Sequence, residues 1–228
     1  MNTRQEISAN IKRITAELGG RARLLAATKT VPADLINFAA GEGITLIGEN
    51  RVNELLEKYD LIDRSRLSVH FIGALQTNKV KYIVDKVDMI HSVDRIGLAA
   101  EIDRRCSAIG RTMDVLVEVN IASEPSKSGV NPEDAADFCR LVAGFPNLRL
   151  RGLMCVPPKC DEPGQNKKYF YKINKIFVDI SQQKIDNSSI DILSMGMSGD
   201  YLTAVECGAN LVRIGSGIFG ERNYNYDK

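Results

Sequence analysis

Short apolar runs alternate with amphipathic stretches along almost the whole chain. Leu24 to Lys29, Leu46 to Asn50, Val69 to Gly73, Met89 to Val93, Val115 to Asn120, Leu150 to Val156, Ile192 to Gly196 and Leu211 to Gly215 read as eight strands. Between them the apolar spacing turns helical. Val52, Leu55, Leu56 and Tyr59 form one stripe, and Phe170, Ile173, Ile176, Phe177 and Ile180 another, on a helix near Lys167 to Gln183. Pro32 suits a first helical turn. Asn131-Pro132-Glu133-Asp134 gives an N-cap, a proline at N1 and two first-turn acids, and Gly144 closes that helix. Before the first strand, Thr3-x-x-Glu6 is a capping box, and Ile7, Ile11, Ile14 and Leu18 share one face ahead of Gly19-Gly20. Eight strands alternating with helices, with no long linker, predict a single (β/α)8 TIM barrel with an extra N-terminal helix. An open doubly wound sheet has the same element order and stays open as the alternative. Pro157-Pro158 through Gly164 reads as a loop after the sixth strand.

Length and charge narrow the function classes. A chain of 228 residues can bury one sizeable core, so residues 1–228 are expected to form one domain. Its 30 basic and 29 acidic residues leave a net charge of +1, which offers no general attraction for nucleic acid or for an anionic membrane. No apolar run has membrane-spanning length and the N-terminus lacks a signal-peptide pattern, so the expected location is cytoplasmic. Cys106, Cys139, Cys155, Cys160 and Cys207 form no C-x-x-C pair, and with only His70 and His91 beside them no metal site is expected.

The unusual residues gather where strands end, which in a barrel is the active face. Lys29 closes the first run. A lysine there either snorkels into water or, partly desolvated, presents an amine able to attack a carbonyl. Asn50 ends the second strand, and Met195-Gly196-Met197-Ser198 and Arg213-Ile214-Gly215-Ser216-Gly217 follow the seventh and eighth. Their glycines and the Ser198 and Ser216 hydroxyls suit an anion, with Ser198-Gly199-Asp200 expected to open a helix. Loops at these two places commonly bind phosphate in this fold. A Schiff-base lysine facing a phosphate cradle fits a phosphorylated carbonyl compound.

Eight blocks carry a resemblance in order along the chain. LLAATKT, IGEN, HFIGALQTNK, HSVDR, SKSG, RGLM, SMGMS and VRIGSGIFG resemble the pyridoxal phosphate homeostasis protein family, barrel proteins akin to the N-terminal domain of alanine racemase. The resemblance implies pyridoxal 5'-phosphate (PLP) bound covalently as an aldimine on Lys29. It implies that Arg213 faces the pyridine nitrogen, that Ser198, Gly215 and Ser216 contact the phosphate, and that Asn50 lines the ring. The sequence departs from the family pattern at Arg51 and Asn53, where an aromatic and a glutamine are commoner, and at Val69, where an aromatic is.

A guanidinium opposite the pyridine nitrogen keeps that nitrogen unprotonated and makes the ring a poorer electron sink. Racemases of this fold add a second domain that supplies a tyrosine. Here the sequence ends at Lys228, with Tyr224 and Tyr226 in a polar tail. The expected function is therefore intracellular PLP homeostasis: a monomer that buffers PLP and passes it transiently to apo-enzymes, without robust catalysis. A minimal PLP-dependent amino-acid racemase is the alternative, and a Schiff-base aldolase on a phosphosugar a third. His70 and His91 are expected to be hydrogen-bonded core residues, Lys127 a solvated loop lysine or an anion contact, and Lys167-Lys168 a solvated face.

Overall fold

All eight expected strands form in the computed structural model, which describes residues 1–124, 127–158 and 164–221. They are β1 (Arg23–Ala27), β2 (Leu46–Glu49), β3 (Ser68–Phe71), β4 (Met89–Val93), β5 (Met113–Glu118), β6 (Leu148–Met154), β7 (Ser188–Ser194) and β8 (Leu211–Ile214). The ladder is parallel throughout and closes in chain order, with Leu25 opposite Arg213 where β1 meets β8. Closure excludes the open sheet. Every C-terminal end but that of β4 falls one or two residues earlier than the apolar runs suggest, because residues such as Lys29 and Asn50 have already left the ladder.

The helices are α1 (Arg4–Leu18), α2 (Ala33–Gly41), α3 (Val52–Tyr59), α4 (Ile96–Ala108), α5 (Ala135–Ala143), α6 (Lys167–Ser181), α7 (Tyr201–Glu206) and α8 (Ser216–Phe219). A 3-10 segment, Thr77–Tyr82, stands between β3 and β4. The capping box at Thr3 and Glu6 is formed, and Ile7, Ile11, Ile14 and Leu18 are the buried face of α1. That helix packs on α8, α2 and α7. Asn2 Nδ2 donates to the Ile218 carbonyl at 3.0 Å, so the extra helix covers the barrel wall where α8 is only four residues long. Pro132 opens a 3-10 turn that runs into α5, which Gly144 ends as expected.

Strand alternation divides the core into two layers. Leu25, Met89, Leu116, Met154, Ile192 and Leu211 form a cluster on the barrel axis, apart from the larger cluster between strands and helices. Above the axial cluster the inward positions turn polar, with His70, His91, Ser194 and Arg213 all buried. Among the described residues no helix is long and apolar enough to cross a membrane.

Candidate functional site

Lys29 sits two residues beyond β1, half-buried, in a turn held from both sides. Thr28 continues the pairing, its N–H donating to the Gly48 carbonyl at 2.9 Å. Its hydroxyl donates at 2.6 Å to Oε1 of Glu49, which is 1% exposed. Lys58 of α3 reaches the same spot: Nζ donates to the Thr28 carbonyl at 2.9 Å and pairs with Glu49 at 3.2 Å and Glu54 at 2.6 Å. Glu54 also accepts the N–H of Thr30. Thr30 has φ 61°, a left-handed conformation rare for a β-branched residue. The turn that presents Lys29 is thus fixed by backbone pairing and by a charged cluster behind it. Burial pushes the Glu49 carboxyl up, with Lys58 pulling against it, and Glu49 Oε2 has no hydrogen-bond partner among the described residues.

Arg213 on β8 is 5% exposed and points to the axis, as does Leu211 two residues earlier. Nη1 donates to Ser194 Oγ at 2.6 Å and Nη2 to the Cys155 carbonyl at 2.9 Å. Ser194 Oγ lies 3.2 Å from His91 Nδ1, and His91 Nε2 lies 2.9 Å from His70 Nδ1. The histidines are therefore hydrogen-bonded core residues, as the sequence suggests. Burial holds both below the ordinary imidazole range, His70 at about 4 and His91 well down, with neighbouring positive groups adding to the effect at His91. Burial also draws the Arg213 guanidinium down from its ordinary value. Cys155 beside it is pushed up to about 12, again by burial, so its thiol is no nucleophile.

The loops after β7 and β8 meet, with the Gly217 N–H donating to Ser198 Oγ at 3.0 Å. A Cβ on Gly217 would come within 3.5 Å of Ser198 and within 2.9 Å of Ile214 Cγ2, so glycine is what lets the two loops approach. Ser198 is half-buried, Gly215 buried and Ser216 exposed. The helix expected to open at Ser198 begins at Tyr201 instead. Asp200 turns back, Oδ1 accepting the Met197 N–H at 2.7 Å and Oδ2 the Asn166 side chain at 2.8 Å, which stabilises the loop ahead of the helix.

Asn50 follows β2, where a Cβ on Gly73 would lie 2.2 Å from its carbonyl oxygen, so the segments after β2 and β3 touch backbone to backbone. It borders a cavity of about 1070 Å³ on the rim, also lined by Thr30, Arg51, Phe71, Gln76 and Lys79. Arg95 Nη2 donates to the Leu75 carbonyl at 2.8 Å and so joins the HFIGALQTNK and HSVDR blocks. On the far side, Asn120 accepts from the Glu124 N–H at 3.1 Å and donates to the Glu124 carbonyl at 2.8 Å, shaping the loop that carries Lys127. Lys127 pairs with Glu124 at 2.7 Å and donates to the Pro157 carbonyl at 3.3 Å, so it bridges two loops. Ser126, Cys160, Tyr224 and Tyr226 lie outside the described residues.

All six candidate residues therefore stand at the C-terminal ends of strands, and five of them belong to β8 and its two neighbours, β7 and β1. Because β1 lies between β8 and β2, Lys29 has Arg213 on one neighbouring strand and Asn50 after the other. Sequence reasoning missed three groups. Glu118, on the axial side of β5 by its alternation with Leu116, is raised to about 7 by burial and by Asp94, with Arg213 opposing. Its signal was an acid two residues beyond Leu116, at an inward position near the C-terminal end of the strand. The Glu49–Lys58–Glu54 cluster left only the Glu54/Lys58 spacing as a trace, and Ser194 lay in a quoted block with no role assigned.

Comparison with known proteins gives consistent likenesses. The profile of the family described as alanine racemase, N-terminal domain, matches residues 3–223. A relative from Aquifex aeolicus named pyridoxal phosphate homeostasis protein is 42% identical, over 98% of this chain and 100% of its own length. PipY of Synechococcus elongatus, solved without PLP and with PLP bound, is 31% and 30% identical in the two structures, with TM-scores of 0.88 and 0.85. Both likenesses cover 94% of this chain and 100% of that one. An alanine racemase of Clostridium difficile shares the fold, at 16% identity and a TM-score of 0.78, over 97% of this chain and 58% of its own.

Proposed function

Since the chain belongs to the pyridoxal phosphate homeostasis protein family, within the alanine racemase N-terminal domain fold, we propose that it holds PLP covalently through Lys29. In this reading it buffers the reactive aldehyde in the cytoplasm and passes it transiently to apo-enzymes, as a monomer and without robust turnover. The observation that carries the reading is the buried guanidinium of Arg213 on the strand beside the lysine.

The residues fit the group. Bound PLP supplies an aldehyde that condenses with a primary amine, losing water, and a pyridine ring that draws electrons from the carbon so attached. Lys29 is the amine, presented by a turn that Thr28, Glu49 and Glu54 immobilise. Arg213 offers only donors, so toward a ring nitrogen it stabilises the unprotonated base and limits the ring as an electron sink. Ser198, Gly215 and Ser216 hold the phosphate between the two loops that Gly217 and Ser198 join, and Asn50 lines the ring. Retention without strong carbanion stabilisation is the chemistry of a carrier.

Glu118 favours one second reading, a weak amino-acid racemase. A carboxyl raised to about 7 on the axial face can exchange a proton near neutral pH. Deuterium exchange at an amino-acid α-carbon that disappears in Glu118→Gln would support it, and robust racemisation by the pure chain would overturn the carrier reading.

The first test is to purify the chain, record its visible absorption, reduce it with borohydride and map the adduct by mass. A yellow protein modified on Lys29, with the colour lost in Lys29→Ala, is the expected result. A colourless protein that takes up no PLP would sink the reading and bring forward the phosphosugar aldolase.

A further inference from the structure

We propose that Ser194, His91 and His70 form a one-way hydrogen-bond chain across the barrel interior that positions Arg213 as a fixed donor toward the PLP ring. The proposal rests on the PLP reading for its ligand, and on geometry for the chain itself.

The direction follows from what each atom can do. Arg213 has no acceptor, so across the 2.6 Å contact its Nη1 donates and Ser194 Oγ accepts. The serine hydroxyl then has its own proton to place. Among the described residues, the acceptor within its reach is His91 Nδ1 at 3.2 Å. The opposite arrangement, with His91 Nδ1–H donating to the same oxygen, strands that hydroxyl proton without an acceptor at a 0% exposed site, which is costly. His91 therefore accepts at Nδ1 and carries its proton on Nε2. That proton points across 2.9 Å to His70 Nδ1, which must accept in turn, so His70 also carries its proton on Nε2. The depression of both imidazoles by burial keeps them neutral and agrees with these tautomers.

The chain joins the neighbours β3 and β4 to the neighbours β7 and β8 across the barrel, two pairs that no ladder contact links to each other. A second tether, Arg213 Nη2 to the Cys155 carbonyl at 2.9 Å, comes from the end of β6. Together they leave the guanidinium little freedom to swing. Ser194, His91 and His70 are positioning residues in this account, acting on the ring only through Arg213.

The test has two parts. Nitrogen-15 NMR of the unliganded wild type reads the tautomers directly. Nε2–H on both rings is expected, and Nδ1–H on either overturns the chain. The second part loads wild type, Ser194→Ala and Ser194→Thr with PLP and compares the visible band and the retention of PLP on dialysis. The alanine variant, folded by circular dichroism, should shift the band and bind about tenfold more weakly, the size expected for one lost hydrogen bond to a charged group. The threonine variant keeps the hydroxyl and should restore both. An alanine variant with the wild-type band and affinity overturns the proposal. A wild type that takes up no PLP breaks the ligand reading instead, and the tautomers then decide the hydrogen-bond chain alone.

Discussion

Glu118 and His70 titrate in opposite senses inside one barrel. Glu118 has its native pKa raised from 4.5 to about 7, so the unfolded chain releases this proton first as pH rises. Its contribution is full below about pH 4.5 and is lost on rising through pH 7, a difference of about 3 kcal/mol at most. His70 has its native pKa lowered from 6.5 to about 4, so its contribution is full above pH 6.5 and is lost as pH falls toward 4. We expect Glu118→Gln to be more stable than wild type by about 1–3 kcal/mol near pH 8 and indistinguishable below about pH 4.5, in urea unfolding of the unliganded chain. Equal stabilisation at both pH values would mean that the carboxyl is not held neutral in the fold.

At the level of elements, β6 is irregular along both of its ladders. Its register with β7 shifts between Leu150 and Gly152, and Gly152 has φ 143° with Ile192 O only 2.0 Å from where a Cβ would stand. Gly110 also has positive φ, 63°, but its Cβ would meet open space. Gly152→Ala should therefore cost about 3 kcal/mol or more, against about 1 kcal/mol for Gly110→Ala, in urea melts of the two variants. Comparable losses would show that the tight approach at Gly152 relaxes cheaply. The same elements show what the sequence makes legible. Apolar runs located all eight strands, and the Thr3/Glu6 box and Pro132 located helix starts, because those signals depend on residues adjacent in sequence. Closure and the bulge at Gly152 depend on which backbone atoms meet across the fold, and the late start of α7 on the Asp200 side chain, which Asn166 holds from 34 residues away. The chain behind Arg213 is equally non-local: Ser194 and His91 lie 103 residues apart, and nothing in the nearby sequence announces their pairing. Lys29, Asn50 and Arg213 were found by their place at strand ends and by resemblance, whereas Glu118 took alternation read together with burial.

For the molecule as a whole, ligand binding to the folded state adds stability by mass action. A PLP concentration a hundred times the dissociation constant contributes about 2.7 kcal/mol, which for a chain of this size is a rise of roughly 5–10 °C in Tm. The expected outcome is that rise in wild type and little or none in Lys29→Ala, measured by thermal melts across a PLP series. An equal rise in both would locate the stabilising contact away from the lysine. The pairing of β1 with β8 has a further consequence, in time rather than in space. The amine and the guanidinium stand at opposite ends of the described chain and become neighbours only when the ring closes at that seam. A growing polypeptide carries Lys29 long before it carries Arg213, so the proposed capture of PLP would be reserved for chains in which this seam has closed.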